Sequence, residues 1–139
     1  PRALIDKTTY DFSFSGLKTS VLNYLNTEKM AGRDIVVEDV AASFQEAVLD
    51  VLVEKTMRLA EEKDSKKIVL SGGVAANKPL REKLGARAEV MGIKMYFPSI
   101  ELCTDNAAMI GSAGYYNYLK YGADDLYLDV YPNLGLEKN

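Results

Sequence analysis

The run Val69-Leu-Ser-Gly-Gly-Val-Ala-Ala-Asn77 constrains this chain more than any other stretch. Ile68-Val69-Leu70 reads as a short buried strand. It stops at Ser71-Gly72-Gly73, where missing Cβ atoms permit a sharp turn and the close approach of a ligand. Val74 to Leu84 then reads as the start of a helix. Strand, paired glycines and helix put unpaired backbone N–H groups in front of an anion. Asn77, one turn into that helix, carries an amide able to donate and accept at a base or ribose edge. The same kind of turn serves packing alone in many α/β domains, and its spacing is neither GxGxxG nor a Walker loop.

A length of 139 residues fits about one domain with a real core. The net charge of −3 offers no global attraction to a polyanion. Cys103 is the single cysteine, which rules out an internal disulfide and a CxxC metal clip and fits a reducing, cytoplasmic setting. No apolar run approaches the roughly 18 residues of a membrane span, and no signal-peptide pattern is present. Histidine is absent altogether, which removes Ser-His-Asp and Cys-His catalysis and any all-histidine metal site. The chain begins at Pro1 rather than Met and reads as a fragment.

Taken in order, Phe12 and Phe14 alternate with Ser13 and Ser15, the pattern of a short strand or an extended entry. Ser15 is the expected N-cap of a helix from Gly16 to about Lys29. Ser13, Ser15 and Lys18 are arranged either to hold an anion or simply to cap and solvate that helix start. A long helix is predicted from about Glu38 to Lys63, with a stripe of Val40, Phe44, Ala47, Val48, Val51, Leu52 and Leu59. Leu49 and Val53 lie off the stripe, so burial on more than one side is expected. Gln45, Glu46 and Asp50 sit among these apolar positions with no sign of catalysis. After the glycine turn, Lys78, Arg81, Lys83 and Arg87 read as a solvated basic face. Gly92 ends the helix, and Ile93 to Phe97 reads as a second strand. A last helix, capped by Thr104 or Asp105, runs to about Tyr121 and carries Ala107, Ala108, Gly111, Ser112, Ala113 and Gly114, small residues suited to close packing. Two strands separated by a helix imply a parallel βαβ unit. The domain is expected over 1–122, with an irregular tail over 123–139.

Asp105 is the sharpest single candidate for chemistry, since it follows a strand at the edge where open α/β sheets bind ligands. Gly72, Gly73 and Asn77 belong to the same edge after the neighbouring strand. A carboxylate there ligates a cation or caps a helix, and spacing alone leaves both open. Cys103 reads as a thiolate near a helix start or as a small core residue. Asp124, Asp125 and Asp129 lack metal-loop glycine spacing and read as surface.

Four stretches taken together carry a resemblance: Asp11-Phe-Ser-Phe-Ser-Gly-Leu-Lys-Thr19, Ala41-Ala-Ser-Phe-Gln45, Leu70-Ser-Gly-Gly-Val-Ala-Ala-Asn77 and Leu102-Cys-Thr-Asp-Asn-Ala-Ala-Met-Ile110. In order and over nearly the whole chain, they closely resemble the C-terminal portion of the bacterial tRNA threonylcarbamoyladenosine transferase family, TsaD, formerly called O-sialoglycoprotein endopeptidase or glycoprotease. The resemblance implies part of an actin-like, ribonuclease H-like ATPase fold: α/β, helix-rich, with a short parallel βαβ unit. It implies transfer of a threonylcarbamoyl group from threonylcarbamoyl-adenylate to N6 of an adenosine beside the tRNA anticodon. It implies Asn77 as an adenylate contact, Gly72 and Gly73 as lining of the nucleotide site, and Asp105 as ligand to a divalent metal, iron in most descriptions. The family's histidine pair, HxxxH, has no counterpart here, and no residue stands out as a covalent nucleophile. A smaller paralogous partner and an ATPase partner are also implied.

The resemblance therefore predicts one wall of a cleft, inactive alone. Two other readings remain: a non-catalytic interaction module of a multiprotein complex, and a metallo-glycoprotease. A zinc protease needs histidine ligands and a bound water, and those ligands are missing. Apolar surface shaped for an absent half favours self-association.

Overall fold

Two three-residue strands, β1 (Lys67–Val69) and β2 (Lys94–Tyr96), pair in parallel in the computed structural model, which describes residues 1–5 and 9–130. Ile68 lies opposite Met95, with Lys67 opposite Lys94 and Val69 opposite Tyr96. The crossover that parallel strands require is α3 (Lys78–Val90). Two helices precede the unit, α1 (Ser15–Met30) and α2 (Val37–Glu62), and α4 (Ala107–Tyr121) follows it. Short 3-10 turns occupy Gly73–Ala76 and Ile100–Leu102. This is the helix-rich α/β arrangement with a short parallel sheet expected of part of an actin-like ATPase fold. The chain divides into two compact units, Pro1–Thr104 and Asp105–Asn139.

The core of the first unit lies between α2 and α3. Leu49, Val53, Met57 and Ala60 are spaced by four, four and three residues along α2, so they share one face. They meet Leu80, Leu84 and Ala88 of α3 and Ile93 before β2, all buried. Ile68, Leu70 and Met95 pack against this cluster from the sheet. The stripe expected on α2 is thus corrected, because the principal row runs through Leu49 and Val53 while Leu59 is 36% exposed. Burial on more than one side is present, since Ala47, Val51 and Lys55 form a second buried row. The expectation of a buried first strand is also corrected. Only Ile68 of β1 is half-buried, and Val69 is 72% exposed. Successive strand residues face opposite ways, and the face that carries Ile68 and Met95 packs against the α2–α3 cluster.

Lys55, 1% exposed, is the unexpected member of the second row. Its ammonium donates to the backbone carbonyls of Thr9 at 2.9 Å and Asp11 at 2.6 Å. It also lies 5.9 Å from the Phe12 ring centre. Three residues along, Arg58 donates to the Ile5 carbonyl at 3.2 Å and stacks 5.2 Å from the Tyr10 ring. These bonds tie Ile5, Thr9 and Asp11 to α2. Residues 12–15 form no strand. Phe12 and Phe14 stack with centres 6.1 Å apart, and α1 begins at Ser15 itself. Phe14 holds the cap position without a side-chain bond, so Ser15 is not the N-cap.

All three helices of this unit end in the same way. The Ile93 N–H reaches back to the Ala88 carbonyl at 2.8 Å and the Gly92 N–H to Glu89 at 3.1 Å, with Gly92 at φ +66°. This is a Schellman closure, and it buries Ile93 beside Ala88. α1 closes likewise through Arg33 to Glu28 with Gly32 at φ +66°. α2 closes through Ser65 to Ala60, but there the left-handed residue is Asp64, at φ +46°.

A charge ladder crosses from α3 to α2. The Lys83 ammonium donates to Glu46 and, at 2.9 Å, to Asp50, which also accepts from Arg2. The Lys83 hydrogen bond, the largest influence, holds the Asp50 carboxyl below the usual aspartate range with help from Arg2, although desolvation opposes it. Lys83 is raised above the usual lysine range, first by its bond to Glu46 and then by Asp50.

In the second unit Asn106, not Thr104 or Asp105, caps α4, its side-chain oxygen accepting the Met109 N–H at 2.9 Å. Gly122, at φ +82°, ends the helix as expected. No residue of α4 is buried, and Ile110, Tyr115, Tyr116, Tyr118 and Leu119 are among its exposed apolar side chains. Positions 131–139 of the expected tail lie outside the described residues.

Two outcomes test these features. Asp64→Gly removes a left-handed side-chain conformation and should stabilise the chain by about 0.5–1 kcal/mol in equilibrium denaturation. Because the folded Asp50 pKa is depressed, its contribution is present at neutral pH and is lost as acid titrates it below the ordinary value of about 4. Asp50→Asn should therefore flatten the fall in stability below that pH, measured by urea midpoints across an acid series.

Candidate functional site

The site is built on the connection between β1 and α3. Leu70 extends the strand pairing by one bond, its N–H donating to the Tyr96 carbonyl at 3.0 Å. The backbone then turns through Gly72, at φ +89° and ψ 171°, a region that side chains other than hydrogen rarely adopt. Gly73 has no such requirement, and a Cβ on either glycine would meet no atom within 4 Å. The surface over the turn is open. The Gly72 carbonyl accepts from Ala75 at 2.9 Å and the Val74 carbonyl from Asn77 at 3.0 Å, forming the 3-10 turn.

The helix expected from Val74 is therefore corrected. A 3-10 turn comes first, and the α-helix starts at Lys78 with Pro79 in its opening turn. Proline fits there because its missing N–H is one that a helix start leaves unpaired. Asn77 is the N-cap rather than a residue one turn in. Its Oδ1 accepts the Leu80 N–H at 2.9 Å, and its Nδ2 donates to Gln45 Oε1 on α2 at 3.0 Å. One lone pair on the oxygen and one hydrogen on the nitrogen remain beyond those two bonds.

Arg81, expected on a solvated face, is instead half-buried and ties this turn to the segment after β2. Its Nε donates to the Ala75 carbonyl. Its Nη2 donates to the Pro98 carbonyl at 2.8 Å and to the Cys103 sulfur at 3.1 Å. The guanidinium also lies 5.4 Å from the Phe97 ring centre. Cys103 is 3% exposed and donates to the Ser99 carbonyl at 3.4 Å, the placing of a small core residue. Lys83 is likewise paired rather than merely solvated, whereas Lys78 is exposed.

The structure thus brings Gly72, Gly73 and Asn77 into one turn and adds Gln45 and Arg81, which sequence reasoning passed over. Asp105 opens the second unit, exposed, two residues before α4. Among the described residues no group of three His, Cys, Asp or Glu side chains is placed to hold a metal ion. The residues present do not fit an iron site, for Asp105 supplies one carboxylate and the sequence holds no histidine.

Comparison with known proteins gives a consistent result. The family model for TsaD, tRNA N6-adenosine threonylcarbamoyltransferase, matches residues 1–112. The protein of that name from Clostridioides difficile strain 630 is 53% identical over 138 residues, covering 99% of this chain and 41% of the relative. The Thermotoga neapolitana protein is 52% identical over 136 residues, and the Moorella thermoacetica protein 49%. Each covers 98% of this chain, which spans about 40% of the length of these relatives.

Arg81→Ala should leave the carbonyls of buried Ala75 and half-buried Pro98 without that donor and cost about 1.5–3 kcal/mol by chemical denaturation. Arg81→Lys should recover only part of the loss, because an ammonium cannot reproduce the guanidinium fork. Faster amide exchange at residues 75–77 and 99–103 in Arg81→Ala would locate the loosening, and unchanged exchange there would contradict the tie.

Proposed function

The chain belongs to the tRNA N6-adenosine threonylcarbamoyltransferase family, and from that premise we propose that it forms one wall of the ligand cleft in an enzyme that modifies tRNA. In the reaction proposed for the whole protein, N6 of an adenosine beside the tRNA anticodon attacks the carbonyl carbon of threonylcarbamoyl-adenylate. The bond from that carbon to the phosphate oxygen breaks, AMP departs, and N6 gives up a proton. Within this chain, Asn77 contacts the adenylate through the amide valences its cap leaves over. Backbone N–H groups around Gly72 and Gly73 face its phosphate. The observation that carries the reading is that the matched region contains the glycine turn, Asn77 and Asp105 together.

Asp105 is proposed as one ligand of a divalent metal, iron by family resemblance, whose Lewis acidity would be available to the whole protein. This chain alone does not supply a site for it. A smaller paralogous protein and an ATPase as partners, and a cytoplasmic setting, belong to the same proposal. No described helix is long and apolar enough to cross a membrane. An interaction-module reading is favoured by one observation, the absence of any buried residue on α4.

The test is transfer of threonylcarbamoyl to tRNA, read by nucleoside mass spectrometry. In the full-length protein Asn77→Ala should lower kcat/KM by about 10- to 100-fold, the loss of one to two hydrogen bonds to a ligand. The 139-residue chain alone should give no product, and turnover by it would overturn the one-wall reading.

A further inference from the structure

We infer that Gln45 is the positioning residue for the Asn77 amide, an assignment that rests on Asn77 contacting the adenosine moiety of the adenylate. Asn77 Oδ1 is committed to the Leu80 N–H at 2.9 Å. That bond fixes which way the amide faces, because the reversed amide would set Nδ2 against another donor. Nδ2 therefore points away from α3, and it meets Gln45 Oε1 at 3.0 Å. The cap in turn dictates the Gln45 amide, which must present its oxygen. Two bonds from two helices thus hold both ends of one small side chain.

Those helices pack on each other close to this pair. Gln45 lies four residues before Leu49 and Asn77 three before Leu80, and both leucines belong to the buried cluster joining α2 to α3. Gln45 is itself exposed, lies outside the buried cluster, and accepts a hydrogen bond from Asn77. What it does is remove the rotation that the cap bond alone leaves to the Asn77 side chain, so the remaining hydrogen and lone pair keep one direction.

The experiment is a double-mutant cycle in the full-length protein, with adenosine as the probe and affinity read by NMR titration. Adenosine is neutral, so a carboxylate at position 45 adds no charge repulsion. Asn77→Ala should weaken binding by about tenfold and Gln45→Leu by about threefold to fivefold, with the double variant no weaker than Asn77→Ala. Gln45→Glu, which keeps an acceptor for Nδ2, should stay within about twofold of wild type. Tm should be unchanged in Gln45→Leu. Losses that add in the double variant, wild-type binding by Gln45→Leu, a lowered Tm that accompanies its loss, or Gln45→Glu as weak as Gln45→Leu would each overturn the positioning role while leaving Asn77 as the contact. Wild-type binding by Asn77→Ala would overturn the reading of Asn77 and this inference with it.

Discussion

The seam between α2 and α3 holds the first unit together. Its members are leucines, a valine, a methionine and alanines at helical spacing, buried to a few per cent. Each large side chain there contributes on the order of 1.5–3 kcal/mol by leaving water. The two three-residue strands contribute little by comparison, since an isolated two-stranded sheet is marginal in water. The sheet is held where the helices put it, through Ile68, Leu70 and Met95 resting on the seam. The glycine turn sits between a strand and a helix that are both fixed to the same cluster. Its geometry is therefore a consequence of packing several residues away.

Polar bonds then refine what the seam places. Arg81 gathers the Ala75 and Pro98 carbonyls and the Cys103 sulfur, so the two connections that follow β1 and β2 are joined by one side chain. Lys55 does a comparable thing at the other end of α2, drawing the Thr9 and Asp11 carbonyls onto the helix. Both are buried or half-buried cations bonded to backbone oxygens rather than to carboxylates. Such a cation keeps its charge solvated by dipoles, and its removal would leave several carbonyls short of a donor at once.

The order of elements was legible because it rests on local rules. Hydrophobic spacing marked α2, the glycine turn marked the approach to α3, and Gly92 marked the end of α3. The parallel pairing followed from the intervening helix. Caps were missed by a residue or so at Ser15, Thr104 and Asp105, because several hydroxyl, carboxylate and amide side chains compete at each boundary and tertiary contacts choose among them. The end of α2 near Lys63 was legible, but nothing local shows that Asp64 would take the left-handed position. Lys55 left a signal that was passed over, since it lies four residues after Val51 on an otherwise apolar row. Arg81 and Gln45 left none of that kind. Their partners are 6 to 32 residues away in sequence, and only the folded seam brings them within reach.

The candidate site shows why a recognisable motif is not yet a described mechanism. Ser-Gly-Gly followed by Val-Ala-Ala-Asn can be read as a phosphate-facing turn from composition alone, yet its conformational need is confined to Gly72. Gly73 is required by neither dihedral nor collision. The same asymmetry holds for Asn77. A cap needs only its oxygen, which serine or aspartate would supply as well. The amide nitrogen is what those residues lack, and it is the end that Gln45 holds. An asparagine at this position therefore answers to two demands, helix initiation and an oriented donor, and only the second distinguishes it from the other good caps.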